Sequence, residues 1–500
     1  MANVIISDVQ GIRTSVSNST SLIALVPGNT PQGPYEPTLV SSVQEFNTIF
    51  GSVGIPTSPT HDYVTGILTA GTRVLFLRID SGSKQAEGVL DNKVKFTASA
   101  AGTDGNNLYC QFTTTNNDPS SSGVVSFTVF EMGEGEIVKT VETHTVCSFL
   151  SSTAADINRQ IYTAIPKLLT RNVTVEIMDG VDIDNFKLFE TLKKAPVSKT
   201  EATQLSGGLD GSEDTVRDTL KSDSVNPFLE AGLSDKFTYD FDYITSGEYV
   251  DTKTETGIAK NLLMTALSRK ECTAILETEM TTKPEEVTNW FRTILPQLGL
   301  DLSYARSATN WVYEDEKWHA GSYSFLKVMG NSYSEVRRTL AGTDYVTGAT
   351  NSAFPISESL LLNWQDPSLI GLNPVCKIGN FGYVIFGQST LATPRTGTIR
   401  PITDDDIRQM TNRIKKNLLI FSIQTLFKFR SIRTWNEFSS RVANYLDQFV
   451  AEESITSYDL TVDNLTEGST LKVLLAINLP LAIGTIEIEM SLTSTNIIFE

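Results

Sequence analysis

The stretch GNFGYVIFGQSTLATPRTGTIRPITDDDIRQMTNRIKKNLLIF, residues 379–421, changes from a strand pattern to a helix pattern. In its second half, apolar residues recur at intervals of three or four, which at about 100° per residue gathers them on one helix face. These residues are Ile407, Met410, Ile414, Leu418 and Phe421. Arg408, Lys415 and Lys416 project from the opposite face. The pattern predicts an amphipathic helix with one apolar and one basic side.

Acidic residues stand where this helix begins. Thr403 is followed by Asp404, Asp405 and Asp406, and capping residues and acids are favoured there by the exposed amides and by the helix dipole. A metal site is the alternative, but three consecutive residues converge on one ion only in a loop built for it. We therefore expect these acids to cap the helix.

The chain after this helix continues with a second amphipathic helix, at residues 435–450, and with strands. Residues 471–475 form an apolar run, and residues 485–492 alternate strictly between apolar and polar. Such alternation predicts a half-buried strand, with Glu487 and Glu489 on its wet face. The apolar members of this terminal strand are Ile486, Ile488, Met490 and Leu492.

The rest of the chain divides into two kinds of pattern. Short apolar runs at residues 22–26 and 74–79 read as buried strands, and after residue 235 strand and helix patterns alternate, which favours α/β layering. Residues 238–244 are predicted as one of these strands. Residues 90–210 are instead β-rich, with polar turns between short apolar runs.

Both chain ends are β-prone, the first of them at Val4, Ile5 and Ile6. A terminal strand can complete the chain's own sheet or add to the open edge of a neighbour's sheet. The pattern leaves both possibilities open.

Composition and charge limit the possible functions. The 500 residues carry a net charge of −18, which argues against broad binding to nucleic acid. However, residues 407–433 hold seven bases and no acid, which leaves −25 for the other 473 residues. The MANVIISDVQ start does not read as a secretory signal, and no apolar run reaches the roughly 20 residues of a membrane span.

Chemically reactive groups are scarce. The four cysteines form no C-x-x-C pair, so buried reduced thiols are expected. Only three histidines are present, none in a metal-binding spacing, and no phosphate-binding glycine motif follows a strand. We predict no catalytic, cofactor or metal site.

Several ordered segments resemble the tail sheath protein family of contractile phages and related contractile injection systems. The strongest is residues 379–421, and the others lie in the family's order along most of the chain. They are SLIALVPGNTPQGP at 21–34, VLFLRID at 74–80, TASAAGTDGNNLYCQF at 97–112, LSGGLDG at 205–211 and LIGLNPV at 369–375.

The resemblance implies a mixed α+β and α/β, multidomain sheath-like fold with an α/β core domain near the C-terminus, a β-rich protruding domain and strand arms at both ends. The implied divisions are an N-terminal arm at 1–20, the first part of the core at 21–88, the protruding domain at 89–210, an α/β domain at 211–400, a tube-facing helical and strand part at 401–484, and a C-terminal arm at 485–500.

The function that the resemblance implies is structural, without catalysis. Subunits would stack as hexameric rings around an inner tail tube, bind the baseplate and tail terminator, and contract to drive the tube through the host envelope for genome ejection. Such a subunit would be assembled in the host cytoplasm and belong to the virion, with no direct contact with nucleic acid and no membrane insertion. Its terminal arms would add strands to neighbouring subunits.

The basic helix side has two interpretations. It is either a solvated helix face, or a tube-facing surface made by Arg408, Arg413, Lys415 and Lys416. A different class of function also stays open, namely an α/β enzyme or ligand-binding protein with an inserted β domain. That alternative predicts a pocket lined by carboxylates such as Asp240 and Asp242.

Overall fold

The computed structural model describes most of the chain. It covers residues 5–6, 9–10, 22–30, 33–51, 59–79, 82–132, 138–209, 211–332, 341–366, 368–392, 403–429, 431–463 and 472–480. Within these residues, no helix is long and apolar enough to cross a membrane.

The described residues form a mixed α/β structure with several sheets. The strands are β1 Ile5–Ile6, β2 Val9–Gln10, β3 Ile23–Gly28, β4 Thr38–Val40, β5 Arg73–Arg78, β6 Gln85–Leu90, β7 Val94–Ala101, β8 Leu108–Thr114, β9 Gly123–Met132, β10 Val138–Phe149, β11 Val173–Ile177, β12 Lys193–Lys194, β13 Thr203–Gln204, β14 Tyr243–Ile244, β15 Thr273–Leu276, β16 Ala305–Ser307, β17 Val312–Glu314, β18 Lys317–His319, β19 Asn351–Ser352, β20 Val375–Ile378, β21 Gly382–Ile385, β22 Ser457–Asp463 and β23 Lys472–Asn478.

Helices of very different length lie between these strands. They are α1 Val43–Phe50, α2 Pro59–Thr69, α3 Ala154–Ala164, α4 Glu213–Leu220, α5 Pro227–Glu230, α6 Gly257–Arg269, α7 Pro284–Asn289, α8 Gly321–Asn331, α9 Glu358–Trp364, α10 Asp405–Ile423 and α11 Ile432–Ala451.

A six-stranded sheet with the order β16-β15-β14-β3-β5-β4 organises the α/β part. Its first five strands are parallel, and β4 is antiparallel to β5. Side chains alternate across β3, so that Ile23 and Leu25 join one core with α6, while Ala24 and Val26 join another with α1, α2 and α8. A parallel sheet covered on both faces needs continuous apolar strands, as the sequence predicted.

The prediction for residues 238–244 is only partly confirmed. Strand pairing begins at Tyr243, because the preceding residues turn around Asp235. Its carboxylate accepts hydrogen bonds from the Phe237 amide at 2.8 Å and from the Thr238 hydroxyl at 2.6 Å. A carboxylate that binds nearby backbone in this way competes with strand formation.

Strands β6 to β13 make up the β-rich region. They form one sheet ordered β10-β9-β8-β12, with β13 also paired to β8, and a smaller sheet ordered β11-β7-β6. Their shared core contains Phe96, Phe112 and Phe127, whose rings lie 4.9 to 6.1 Å apart, and one helix, α3, packs on it. The β-rich character is therefore as predicted, while the domain boundaries stay predictions.

The four cysteines are free thiols, as expected from their spacing. Cys110, Cys272 and Cys376 are buried, and Cys147 is half-buried.

Helices α2 and α8 cover one face of the parallel sheet and approach each other very closely at Gly66. A Cβ atom at Gly66 would overlap the hydroxyl and ring of Tyr323. That ring cannot easily move, because it is buried and its hydroxyl donates a hydrogen bond of 2.5 Å to Asp315. The contact therefore requires a residue without a side chain.

We expect Gly66→Ala to lower the free energy of unfolding by up to about 2 kcal/mol. Alanine is favoured over glycine in helices by about 1 kcal/mol, but overpacking a tight contact costs about 1–3 kcal/mol. Chemical unfolding measures the difference. Thr69→Ala, at an exposed position of the same helix, is the control and should change stability by about 0.5 kcal/mol or less.

Candidate functional site at the basic helix

Helix α10 has two buried faces. Its apolar face packs on α11 and on the β22–β23 hairpin, through Met410 and Ile414 against Phe438, Val442 and Leu446. The apolar members of this cluster all lie between residues 410 and 479. This half of the helix matches the periodicity prediction.

The opposite face of α10 packs on the edge of the parallel sheet through polar side chains. Asp405 accepts a hydrogen bond of 2.5 Å from Arg306 of β16. One turn later, Arg408 donates to the Ser303 hydroxyl at 2.8 Å and lies 4.1 Å from the Tyr304 ring centre. These spacings of three and four keep the polar groups in one row along the helix.

Lys416 makes the innermost contact of this face. Its ammonium group lies 2.9 Å from Asp240 and 2.7 Å from Asp242, and it donates to the Phe241 carbonyl at 2.8 Å. Asp242 also accepts a 3.1 Å hydrogen bond from the Ile23 amide, at the start of β3. The ion pair therefore ties α10 to two central strands of the sheet.

The acids lie at the helix start as predicted, with Asp405 and Asp406 in its first turn, but their side chains do not cap it. Asp404 occupies the cap position without a side-chain capping bond, and Asp405 and Asp406 are buried. Burial raises the pKa of Asp405, and the nearby Arg306 guanidinium opposes that effect. The capping prediction is therefore wrong for Asp405, which pairs with Arg306. Among the described residues, no group of three or more His, Cys, Asp or Glu could hold a metal ion.

The prediction of a solvated basic face is wrong for two residues. Arg408 is 5% exposed and Lys416 is 7% exposed, because both side chains bind groups of their own chain. Arg413 and Lys415 are half-buried, and Lys415 donates to the Tyr304 hydroxyl at 2.9 Å. Periodicity could not predict the burial of these side chains, since a helix face that contacts water and one that contacts polar groups of the protein have the same sequence pattern. A contact between these residues and a tube stays a prediction.

The predicted strand arms lie mostly outside the described residues. Ile5–Ile6 pairs antiparallel with Val9–Gln10, in the register Ile5 to Gln10 and Ile6 to Val9. Val4 and the terminal-strand residues are outside the described part of the chain. Those terminal residues are Ile486, Ile488, Met490 and Leu492.

The carboxyl ends of the parallel strands are where α/β proteins usually bind ligands. Here Glu277 follows β15 and accepts hydrogen bonds from the Ser322 amide at 2.6 Å and the Ser322 hydroxyl at 2.8 Å, at the start of α8. Complete burial raises the pKa of Glu277 to about 8. Glu248 lies behind β14 and contacts His319 at 2.5 Å, and burial raises the pKa of Glu248 also.

The carboxylates of Glu277 and Glu248 test the alternative that this chain is an enzyme or a ligand-binding protein. That alternative predicted carboxylates with altered pKa values around a pocket, but Glu277 and Glu248 are covered by α8 and its neighbours. Asp240 and Asp242, which the sequence had offered for such a pocket, bind Lys416, and Asp242 also lines a small cavity together with Tyr243 and Glu271.

This architecture is the fold of sheath tail proteins. The chain superposes over 93% of its length on the sheath tail protein of Listeria innocua, with a TM-score of 0.61, 13% sequence identity and 96% coverage of that protein. It superposes over 94% of its length on the sheath tail protein of Desulfitobacterium hafniense, with a TM-score of 0.55, 13% identity and 99% coverage.

A third similar structure is an assembled one. The PVC sheath complex of an extracellular contractile injection system, in its contracted state, matches 98% of this chain and 97% of its own, with a TM-score of 0.50 and 10% identity. No protein-family model matches the sequence, and no curated protein matches it. The relation is therefore visible in the fold and not in sequence identity.

We expect Lys416→Ala to lower the free energy of unfolding by about 3 kcal/mol, because it leaves two acids without their buried cation. Lys428→Ala is the matched control. Lys428 pairs with Glu437 at 3.0 Å on the surface, so its loss should cost less than about 1 kcal/mol. Equal effects of the two substitutions in chemical unfolding would contradict a buried polar contact at α10.

Glu277 also predicts a pH dependence. Its pKa in the folded chain, about 8, lies above the ordinary value of 4.5, so the folded state holds a proton that the unfolded state has lost. The contribution of Glu277 to stability is thus full below pH 4.5 and is lost as the pH rises to about 8. Glu277→Gln should flatten this decline.

The measurement is chemical unfolding at several pH values between about 5 and 8. Glu285→Gln, at an exposed position of α7, is the control and should leave the pH profile unchanged. A wild-type profile that keeps its slope in Glu277→Gln would show that another group causes it.

Proposed function

We propose that this chain is a structural subunit of a contractile tail sheath. The observation that supports this most is the sheath fold along 93% and 94% of the chain, with nearly the whole of each solved sheath tail protein matched in return. A match to a common α/β sheet alone would not support this proposal, because proteins with such sheets have many different functions. Here the match extends over the β-rich part and the C-terminal helices as well.

In this proposal the subunits form hexameric rings that stack into a sleeve around a tail tube. The sleeve contracts and drives the tube through a host envelope, with the baseplate and a terminator protein at its ends. Energy would be stored in a metastable extended assembly, so that no nucleotide is needed. The proposed role is structural rather than enzymatic, and the proposed location is the virion tail, after assembly in the host cytoplasm.

The terminal arms are the proposed links between subunits. An added strand gains backbone hydrogen bonds along an open sheet edge, and it can hold neighbours together while rigid parts rotate. The β22–β23 hairpin is a two-stranded sheet, so an arm strand could extend it. Ile5 and Ile6 at one end, and the apolar residues of 485–492 at the other, supply the strands.

Of the four basic residues that the sequence predicted to face the tube, only two are proposed to contact it directly. Arg408 and Lys416 are occupied within their own subunit, so their proposed contribution is to hold α10 in place. Arg413 and Lys415 are half-buried, and although Lys415 also binds the Tyr304 hydroxyl, both keep part of their surface exposed and are our candidates on this helix for a direct, salt-sensitive contact with an acidic tube.

Strand exchange is tested on the terminal strand by changing one face at a time. We expect the double substitution Ile488→Asp and Met490→Asp to leave a folded subunit that no longer forms rings or sleeves, because the apolar face of the arm is lost. Negative-stain microscopy measures assembly, and thermal unfolding checks the fold.

The control is the double substitution Glu487→Gln and Glu489→Gln on the other face of the same strand, which should assemble as the wild type does. Normal sleeves from the aspartate variant would show that this strand is not a linking arm. A wild-type protein that forms neither rings nor sleeves under any assembly condition would remove the sheath proposal itself.

A further inference from the structure

The turn between α10 and α11 exposes an unusual amount of apolar surface. Phe427 is 89% exposed, Phe429 is 92% exposed and Ile432 is 80% exposed. These are three of the four most exposed large apolar side chains among the described residues, the other being Leu169 at 88%. Single exposed apolar residues are common, but three within six residues concentrate apolar surface at one turn, and concentrated apolar surface is typical of interaction sites. We call them the apolar turn.

The backbone of the apolar turn is held in a defined shape. The Thr434 hydroxyl donates to the Phe429 carbonyl at 2.7 Å, and Ser431 caps α11 by accepting from the Thr434 amide at 3.2 Å. Phe427 has a φ of +63°, a left-handed conformation that is rare for a bulky residue and costs about 1 kcal/mol or more. The surrounding bonds therefore impose a strained conformation that displays the ring.

Basic side chains surround the apolar turn. Lys428 lies between Phe427 and Phe429 in the sequence, and Arg433 follows Ile432. Both side chains pair with Glu437, at 3.0 and 3.1 Å. Two cations share one acid, so the rim keeps a positive charge. Arg430 is a further base in the same six residues of sequence.

We propose that the apolar turn docks on the acidic surface of a second copy of this chain. The inference rests on the proposed self-assembly into a sheath, and it adds a contact that does not use the terminal strands. Charge complementarity favours this partner. Outside residues 407–433 the chain carries −25, so the bulk of a second copy is opposite in charge to the basic rim, whereas the acidic parts of two copies repel each other.

The energetic roles within this contact differ. Apolar residues at the centre of an interface supply most of the affinity when they are desolvated, and rim charges steer the encounter and set the orientation. The defined backbone of the turn limits the loss of backbone freedom on docking, since Thr434 and Ser431 already hold it in place. The contact would therefore weaken at high salt without disappearing.

The first test replaces Phe427, Phe429 and Ile432 by serine in the full-length protein. Because the three side chains are exposed, we expect the thermal unfolding temperature to stay the same or rise, while self-association in sedimentation velocity weakens by at least tenfold. The double variant Leu150→Ser and Leu169→Ser is the matched control, since these residues are 78% and 88% exposed and lie in the β-rich region. It should associate as the wild type does.

The single variant Phe427→Gly distinguishes an effect on self-association from an effect on the stability of the fold. Glycine removes the strain of the left-handed conformation, so the fold should be as stable as the wild type or more so, whereas association should weaken. A variant that lost stability and association together would show that Phe427 supports the fold rather than a contact, and would overturn the proposal.

The second test identifies the partner. A photoreactive benzoylphenylalanine replaces Phe429 in the full chain, and the same amino acid replaces Leu169 as a control. In purified protein we expect a cross-linked dimer only from the Phe429 position, with mass spectrometry placing the link on an acidic surface segment of a second copy. No dimer, or a link found in cells only to a tube protein or another protein, would overturn the proposal.

The two proposals fail in different ways. If the serine variant forms normal sleeves and shows wild-type association, the apolar turn is not a contact between copies, although the sheath function stands. If wild-type protein forms no sleeves while Phe429 still cross-links two copies, the sheath function fails and the docking contact stands.

Discussion

The burial of both faces of α10 is the constraint on which the C-terminal part of the structure depends. One face is covered by α11 and the β22–β23 hairpin, and the other reaches the parallel sheet through Lys416 and Asp405. A charge that is buried must be paired, so the acids at Asp240, Asp242 and the cation at Arg306 are required at those places. The contact selects one orientation of the helix, because a rotation would leave charges unpaired.

Apolar packing explains how the sheath fold persists at 13% sequence identity. Core positions accept many apolar residues of similar size, and layered architecture follows from the pattern of apolar positions rather than from particular residues. A fold held in this way can diverge until no family model detects it, while the backbone still superposes over more than nine tenths of the chain. The support for the proposed function therefore comes from the fold of nearly the whole chain and not from individual residues.

Sequence patterns predicted the helices and strands well where the apolar residues followed one periodicity throughout the element. The buried strands around Leu25 and Leu75 and the two C-terminal helices are examples. The strand prediction for residues 238–244 was confirmed only at Tyr243 and Ile244, because the side-chain bonds of Asp235 redirect the preceding backbone without altering hydrophobic periodicity. The prediction that Arg408 and Lys416 are exposed to solvent was wrong. Periodicity shows on which side of the helix a residue lies, but it does not show what that side contacts.

By itself, the sequence determined the alternation of strands and helices, the β-rich region and the amphipathic character of α10, since these depend on spacings between near neighbours. Only the tertiary structure decided that the basic face of α10 is buried against Asp240 and Asp242, and that Phe427, Phe429 and Ile432 stay exposed. The physical reason is that burial depends on which distant residues come together, and residue 416 meets residues 240 and 242 only after the sheet has formed.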